Sequence, residues 1–456
     1  MKTFQDFLKA DDKIDFIKKA IQDHQSSVDY KIALDADQYE KERNSTILAW
    51  RKMLFTFTGD AVPDFTAANN QIASNFFHRL NTQRCAYSLG NGVSFTNTQE
   101  IEENGVKKTV DLTKEALGSQ FDTDIYSAAY FALIHKVSFV MWNLDHAEVF
   151  PYTQFVPLWD EENGSLKTGI RYWSLDWDKR PVTAVLYEED GYTKYRTREG
   201  SKGLDLVEVE EKQPYKYKVA VTEAEGEMII GGENYSALPI VPLWGSKHKQ
   251  STLVGMKSKI DSYDLIRSGF ANDLEEVSEI FWIIGNAMGE NDDSLARFRD
   301  RIKFNHIAVM DTDNSSITPY RQEIPIQARQ TYLDGIRSQI YEDFGGLDVH
   351  TVAAGATNDH IDAAYQSMDE EADDFEYQII ECIQQILALI GIDDTPIFKR
   401  NKLSNQREQT EMVLMAADHL DEETLLNKLP FVTVDEVQDI LSRKDIANDA
   451  RFSLEE

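Results

Sequence analysis

The densest group of residues that could do chemistry lies between His360 and Glu376, which holds seven Asp or Glu and no Lys or Arg. Oxygen ligands at this density could hold a divalent cation, and a bound metal could activate water for hydrolysis. The same stretch has apolar residues at every third or fourth position, as on one face of a helix. Acidic runs on helices are usually solvated faces, and we prefer that interpretation while keeping a divalent-metal-dependent DNA hydrolase as an alternative.

Other catalytic motifs are missing from the sequence. It contains no GxxxxGK[ST] phosphate loop and no HExxH, CxxC or GxSxG motif, and its histidines include no pair four residues apart. The run from Asp311 to Ser315 begins like a calcium-binding loop, but Ser316 replaces the required glycine and Gln322 the required acid, so we predict a turn. His350 has no nameable base or orienting partner. We therefore predict no enzymatic activity, no catalytic residue, no metal and no cofactor.

The charge balance limits the kinds of partner. The chain of 456 residues has 79 acidic and 47 basic side chains, a formal net charge of −32. This excess argues against a protein that grips nucleic acid through a broad basic face. It is compatible with a surface along which a polyanion passes without adhering, and its simplest consequence is solubility. No stretch approaches the length of apolar sequence that a transmembrane helix needs, so no membrane association is expected.

The pattern of apolar residues predicts an α+β fold. Helical periodicity dominates residues 1–57, Asp64–Tyr87 and Thr113–Lys136. Between Ala147 and Trp244 the period changes to two, with polar turns between short runs, which is typical of an antiparallel sheet. Beyond Trp244 the helical period returns. The chain is long enough for two or three domains.

The remainder of the chain is organised around two long helices. Gly255–Phe281 carries an apolar stripe that includes Phe270 and Leu274, and it would be roughly 40 Å long as a helix. Ile326–Phe344 is predicted to be the second helix, with Leu333, Ile336, Ile340 and Phe344 on one face. The insertion between them, residues 282–325, is predicted to contain a strand at His306–Met310. Such a helix pair needs neighbours to cover its stripes.

Two more helical regions follow the pair. The segment from Gly345 to Asn358 is rich in glycine and small residues, which predicts a loop. Asn358 or Asp359 is predicted to cap a helix whose apolar residues run from Ile361 to Leu389. A short strand at Pro396–Lys399 and three short helices between residues 405 and 443 complete the chain.

Five stretches of the sequence each carry a weak family signal, but their order and spacing together are more specific. They are Asn69–Phe95 with its Ala86-Tyr-Ser-Leu-Gly90 ending, Tyr152–Trp173, Asp261–Gly285, Tyr341–Ala364 and Leu425–Ile440. In this order they resemble the portal proteins of tailed bacteriophages, in the branch typical of siphoviruses of Gram-positive hosts. The resemblance covers roughly residues 30 to 445.

The resemblance implies a portal fold with named parts. These are an α/β wing (1–250), a first stem helix (251–281), a small α/β clip (282–325), a second stem helix (326–345), a tunnel loop (346–358), a long wing or crown-linking helix and strand (359–399) and a short α-helical crown (400–456).

The resemblance also implies a function and partners. Twelve copies would form a ring at one capsid vertex, through which the terminase large subunit packages double-stranded DNA without sequence specificity, and which retains and later releases it. The ring would dock a head-completion or adaptor protein and contact the major capsid and scaffold proteins. The protein would be found in the virion and, during assembly, in the host cytoplasm. Another ring-forming head–tail adaptor or capsid protein remains an alternative.

Three sets of site residues follow from the resemblance. The tunnel loop would face DNA with His350, Thr351, Val352, Ala353, Ala354, Gly355, Ala356, Thr357 and Asn358. Acids on the first stem helix would line the tunnel and repel the phosphates: Asp261, Asp264, Glu275 and Glu276. Basic residues of the clip would cover a surface for the adaptor or, alternatively, contact DNA: Arg297, Arg299, Arg301 and Lys303.

Overall fold

The chain folds as two compact units. In the computed structural model, the first comprises Met1–Glu42, Asn75–Lys257 and Ser338–Glu456, and the second comprises Arg43–Ser74 and Ser258–Arg337. The structure describes residues 2–55, 59–65, 67–103, 106–174, 182–198, 204–222, 226–276, 281–285, 316–320, 325–348, 358–402, 406–419, 421–429, 432, 437, 440, 441 and 443.

The described residues combine α-helices with antiparallel strands. The helices are α1 (Phe4–Leu8), α2 (Lys13–Ser26), α3 (Val28–Glu40), α4 (Ser45–Ala49), α5 (Phe76–Leu89), α6 (Leu112–Leu117), α7 (Phe121–His135), α8 (Thr252–Glu276), α9 (Ile326–Phe344), α10 (Asn358–Ile390), α11 (Gln406–Met415) and α12 (Glu422–Lys428). The strands are β1 (Met53–Phe55), β2 (Ala61–Pro63), β3 (Val93–Phe95), β4 (Thr98–Glu103), β5 (Val106–Asp111), β6 (Val137–Asn143), β7 (His146–Pro151), β8 (Phe155–Trp159), β9 (Leu166–Trp173), β10 (Thr183–Glu188), β11 (Gly191–Thr197), β12 (Leu206–Gln213), β13 (Lys216–Thr222), β14 (Gly226–Glu233), β15 (Ile240–Trp244), β16 (Phe281–Gly285), β17 (Ser316–Tyr320) and β18 (Pro396–Phe398).

Two sheets organise the first unit. A three-stranded sheet in the order β15-β6-β7 packs with α7 and α10 around the larger apolar core, which includes Phe139, Phe150 and Phe375. A five-stranded sheet in the order β12-β11-β10-β9-β8 covers a second core with the N-terminal helices α1 and α2. The predicted antiparallel region between Ala147 and Trp244 is therefore confirmed.

Two strands of the five-stranded sheet lack the alternating pattern of a half-buried strand, for opposite reasons. β8, with the sequence Phe-Val-Pro-Leu-Trp, has four consecutive buried residues, so the alternation that signals a half-exposed strand is absent. β12 is exposed along most of its length and carries four charged residues, Glu208, Glu210, Glu211 and Lys212. Its place at the edge of the sheet explains this composition, because charged side chains discourage pairing with another strand.

Several predicted helix boundaries were wrong. The helix predicted over Asp64–Tyr87 begins only at Phe76 and continues to Leu89. The helix predicted over Thr113–Lys136 is two helices, because Gly118 adopts a φ of +84° and ends α6. The first long helix begins at Thr252, earlier than predicted, and is described as far as Glu276; Phe281, its predicted last residue, instead begins β16. In contrast, α10 is described from Asn358 and ends before Gly391, where its end was predicted.

The second unit contains the segment 43–74, most of α8 and the first three turns of α9. In this unit β16 pairs antiparallel with β17, from Phe281 opposite Tyr320 to Gly285 opposite Ser316. The strand predicted at His306–Met310 lies outside the described residues. Among the described helices of the whole chain, none is long and apolar enough to cross a membrane.

Candidate functional site

A buried polar seam runs along α8 in the second unit. Asp264, Ser268 and Asn272 are spaced four residues apart, so their side chains share one face of the helix, and all three are buried. Each accepts a hydrogen bond from the segment 43–74: Asp264 from the side-chain amide of Asn44, Ser268 from the Ile72 amide at 2.9 Å, and Asn272 from the Asn70 amide at 2.6 Å. The seam therefore binds this segment along the helix.

The seam changes the interpretation of one predicted channel acid. Asp264 is fully buried, and burial raises the pKa of its carboxyl group. A carboxylate enclosed in this way cannot present its charge to passing DNA, so the prediction that Asp264 lines a tunnel was wrong. Its environment is a structural hydrogen-bond network, and burial of an acid without such partners would be costly.

The other three predicted channel acids differ from Asp264. Asp261 is partly exposed and accepts a hydrogen bond from Thr46 Oγ1 at 2.8 Å. Glu275 is exposed and accepts one from the Asn70 side-chain amide at 2.9 Å. The Glu276 side chain lies outside the described residues, although its backbone ends α8. Nothing in these contacts prevents Asp261 and Glu275 from facing a channel, and for all three the assignment stays a prediction.

The apolar stripe of α8 is buried at one end and exposed at the other. Ile260 is completely buried, Phe270 is partly buried beneath the Arg329 guanidinium at 5.7 Å, and Leu274 is 52% exposed. Arg329 also forms an ion pair with Asp273, which joins α9 to α8 within the second unit. The predicted apolar face of α9 is confirmed, because Leu333, Ile336, Ile340 and Phe344 are all buried.

Two of the predicted site groups cannot be located. Residues His350 to Thr357 of the predicted tunnel loop lie outside the described residues, and Asn358 is described only as the first residue of α10. The basic clip residues Arg297, Arg299, Arg301 and Lys303 also lie outside the described residues.

The acid-rich part of α10 is engaged by basic side chains. Arg400 contacts three of its acids, with Nη1–Oδ1 of Asp369 at 2.9 Å, Nη2–Oε2 of Glu376 at 2.9 Å and an additional ion pair to Asp373. Lys402 binds Asp369 at 2.6 Å. These contacts raise the pKa of the Arg400 guanidinium, chiefly through its hydrogen bond to Glu376. The acids therefore already have cationic partners within the chain.

Further polar contacts occupy the same helix. Arg84 of α5 lies 3.2 Å from Glu371, and the Lys247 amide donates to Asp374 at 3.0 Å. Among the described residues, no group of three or more His, Cys, Asp and Glu has a geometry that could hold a metal ion. The arrangement fits a helix tied to its neighbours by ion pairs better than a hydrolytic centre.

Sequence reasoning missed both of these networks. The seam had a readable signal, because Asp264, Ser268 and Asn272 recur every four residues on a helix whose other face is apolar. The basic partners of α10 had no readable signal in the sequence. Arg400 and Lys402 follow a short strand beyond the end of that helix, and only the tertiary fold places them next to its acids.

Comparison with known proteins identifies the family. The model described as phage portal protein, SPP1 Gp6-like, matches residues 17–450. The chain is 25% identical over 395 residues to the portal protein of Clostridium phage phiCD119, covering 80% of this chain and 82% of that protein. It is 22% identical over 413 residues to the portal protein of Bacillus phage SPP1, covering 84% of this chain and 77% of that protein.

A chain in the neck of an empty GTA particle, from a structure with C6 symmetry, matches 77% of this chain and 89% of its own length at 8% identity, with a TM-score of 0.43. The family match, in contrast, extends through both compact units and includes α8, α9 and α10. The chain therefore belongs to the SPP1 Gp6-like family of phage portal proteins.

Proposed function

We propose that this portal protein is the subunit of a closed ring at one capsid vertex, through which double-stranded DNA is packaged, retained and later released. The observation that carries the proposal is the family match over residues 17–450. By resemblance to the family, the ring has twelve subunits and is a component of the virion that assembles in the host cytoplasm. Its role is structural, without catalysis.

Exposed apolar side chains on the long helices support assembly into a ring. Leu265 and Leu274 of α8 and Ile326 and Tyr332 of α9 are between 39% and 56% exposed in a single chain. Removing apolar surface from water contributes about 25 cal/mol per Å². Copies of the same chain placed side by side would cover these residues, and repetition of one contact closes into a ring.

The charge of the protein suits a channel for DNA. A wall that repels phosphate groups avoids tight binding, and a net charge of −32 supplies an excess of negative charge. We propose that Asp261, Glu275 and Glu276 face the channel, together with the loop residues His350 to Asn358. None of these side chains is an arginine or lysine that would grip the backbone, and passage without sequence preference requires no base contacts.

The remaining roles come from the resemblance. We infer that residues 282–325 form the clip, in which Arg297, Arg299, Arg301 and Lys303 cover a docking surface for a head-completion or adaptor protein. Residues 1–250 would form the wing and 400–456 the crown. The terminase large subunit, the major capsid protein and the scaffold protein would be transient or permanent partners of the assembled ring.

The competing function is a metal-dependent DNA hydrolase built on the acids of α10. The ion pairs of Arg400 with Asp369, Asp373 and Glu376 argue against it, because a guanidinium in the centre of the acids would repel a divalent cation. A different ring-forming adaptor is a second competitor, and the family match disfavours it.

Sedimentation velocity of the purified full-length chain, at several salt concentrations, tests the proposal. We expect a discrete species with the mass of about twelve chains. A chain that remains a monomer at every concentration would contradict the ring. A parallel incubation of linear DNA with Mg²⁺ or Mn²⁺ tests the hydrolase, and we expect the DNA to remain intact.

A further inference from the structure

The chain leaves α9 through a sharply defined turn. Gly345 has a φ of +66°, which a residue with a side chain rarely adopts, and its amide donates to the Glu342 carbonyl at 3.1 Å. The Gly346 amide donates to the Tyr341 carbonyl at 2.8 Å. This pair of bonds is the Schellman arrangement that ends many helices. The backbone of α9 therefore fixes the direction of the chain as far as Gly346.

The next residue is held by Gln83 of α5. The Gln83 side-chain amide donates to the Leu347 carbonyl at 2.9 Å, and its oxygen accepts from the Leu347 amide at 3.0 Å. One side chain thus satisfies both backbone groups of Leu347. Glycine favours this close approach, because a Cβ on Gly346 would lie 2.7 Å from Leu80 Cδ2 and 3.1 Å from Gln83 Oε1, so both side chains would have to shift.

The neighbouring Arg84 holds the end of α9 itself. Its guanidinium donates to the Phe344 carbonyl and lies 4.2 Å from the centre of the Phe344 ring. A cation at this position also interacts favourably with the negative end of the helix dipole. Arg84 forms an ion pair with Glu371 of α10 at 3.2 Å, so a single buried side chain joins α5, α9 and α10.

Helix α5 also contacts α10, the helix that follows α9 in the sequence. Tyr87, one turn beyond Gln83, donates its hydroxyl to Asp369 of α10 at 2.5 Å and stacks on the Tyr365 ring at 5.5 Å. Leu347 packs into the same small apolar cluster as Tyr87, Tyr365 and Met368. Helix α5 is therefore a common support for the end of α9 and the first half of α10.

We propose that Gln83 and Arg84 are positioning residues that set how the chain leaves α9 toward the segment assigned to the channel. The proposal rests on the proposed function, since it assumes that the segment following Asp348 meets DNA. A moving DNA molecule would pull on that segment, and the load would reach Leu347 and Phe344 first. The hydrogen bonds from α5 have defined directions and would oppose such a displacement.

The first test measures the contact itself. In Gln83→Ala rings, hydrogen exchange at the Leu347 amide should become about tenfold faster, a change that corresponds to about 1.4 kcal/mol. The Gly346 amide serves as an internal reference, because its partner is the Tyr341 carbonyl and its exchange should not change. Gln366→Ala is the matched control, since Gln366 is exposed and contacts only Glu370 on its own helix among the bonds described here. Unchanged exchange at Leu347 would contradict the proposal.

The second test measures DNA in heads assembled with one variant as the sole portal subunit. Gln83→Ala and Arg84→Ala should form rings of normal size yet give heads with as little DNA as a deletion of Thr351 to Ala356. Arg84→Lys, which keeps the cation and a donor, should restore most of the DNA content, and Arg79→Ala, an exposed change on α5, should be normal. If Arg84→Ala fails to fold, Gln83→Ala supplies the test, because it removes both hydrogen bonds to Leu347 and leaves the Arg84 contacts in place.

The outcomes separate this inference from the proposed function. Normal DNA content in the Gln83 and Arg84 variants, with a defect in the loop deletion, would overturn the positioning role and leave the channel assignment intact. Normal DNA content in the loop deletion as well would overturn the assignment of that segment to the channel. Loss of DNA in Arg84→Lys equal to that in Arg84→Ala would mean that Arg84 acts in another way than proposed.

Discussion

The side-chain amide of Asn44 donates a hydrogen bond to the carboxylate of Asp264, and both residues are completely buried. This contact begins the polar seam that continues through Ser268 and Asn272 along α8. The seam gives α8 two different sides. One side is closed by the segment 43–74 within the same chain, while Leu274 and Leu265 leave apolar surface exposed.

Breaking the seam should destabilise the second unit. We expect Asn44→Ala to lower the free energy of unfolding by about 1–3 kcal/mol, because it leaves the buried Asp264 carboxylate without this donor. Asp334→Ala is the control, since Asp334 is exposed on α9 and should cost no more than about 0.5 kcal/mol. Denaturant titration of both variants measures the difference. Equal stability of the two would show that the Asn44–Asp264 contact contributes little.

Charge on the exposed part of the α8 stripe should block assembly without unfolding the chain. Leu274 is 52% exposed in the single chain, so Leu274→Asp should leave the thermal unfolding midpoint nearly unchanged. In a ring, however, the new carboxylate would be buried between subunits, which is unfavourable. Sedimentation should show monomers. Phe270→Asp should also prevent assembly but with lower stability, since Phe270 is already partly buried; normal rings from both variants would mean that the stripe is not an interface.

Deleting Thr351 to Ala356 should separate assembly from DNA handling. The deletion removes small residues from the predicted tunnel loop and leaves α9 and α10 complete. We expect rings of normal size, with impaired packaging or retention of DNA, as measured by the DNA content of assembled heads. Failure to form rings would instead assign the segment a structural role.

Arg400, which pairs with the acids of α10, should be important for the stability of the fold. Arg400→Ala removes the cation that Asp369, Asp373 and Glu376 share and leaves these three carboxylates close together, with Lys402 still paired to Asp369. We expect a loss of about 1–3 kcal/mol in the free energy of unfolding, partly recovered at high salt, because mobile ions screen the repulsion. The hydrolase alternative instead predicts that the wild type binds Mn²⁺ at these acids, whereas a guanidinium in their centre should exclude the cation. Calorimetric titration with Mn²⁺ decides between them.

His24 should make the first unit sensitive to acid. The ring is buried, with Nδ1 3.2 Å from the Tyr172 hydroxyl, and burial lowers the pKa of His24 to about 4, although Asp29 opposes the shift. Because the unfolded chain binds a proton more readily, with a pKa near 6.5, the contribution of His24 is complete above about pH 6.5 and is lost as the pH falls toward 4.

The change at pH 4 should be on the order of 2–3 kcal/mol. His24→Gln removes the titration, so the wild type should lose more stability than the variant between pH 6.5 and 4.5. Thermal unfolding at both pH values measures this difference. Parallel pH profiles for the two proteins would show that His24 is not the responsible group.

The predictable parts of the fold are those in which one local pattern dominates. The apolar period of α10 correctly predicts a long helix that ends before Gly391, which adopts a φ of +77°. The same period failed at Asp64–Tyr87, where the spacing of Ile72, Phe76 and Leu80 predicted one continuous helix. There the backbone of Ile72 bonds to Ser268 instead, so a tertiary contact replaces the helical one.

The candidate site was less predictable than the fold. The spacing of residues in the sequence predicted on which face of the helix Asp264 lies. It did not predict whether that face contacts solvent or another segment of the chain. Asn44 and Asp264 are 220 residues apart, and such pairing is set by the fold as a whole. The contacts of Gln83 with Leu347, 264 residues away, were invisible for the same reason.

The central claim is a ring with a channel, and electron microscopy of the purified full-length protein in negative stain tests it most directly. Two-dimensional class averages should show rings with twelvefold or thirteenfold symmetry around a central channel. Averages that contain only small particles without a channel, under conditions in which the protein is folded and concentrated, would contradict the account.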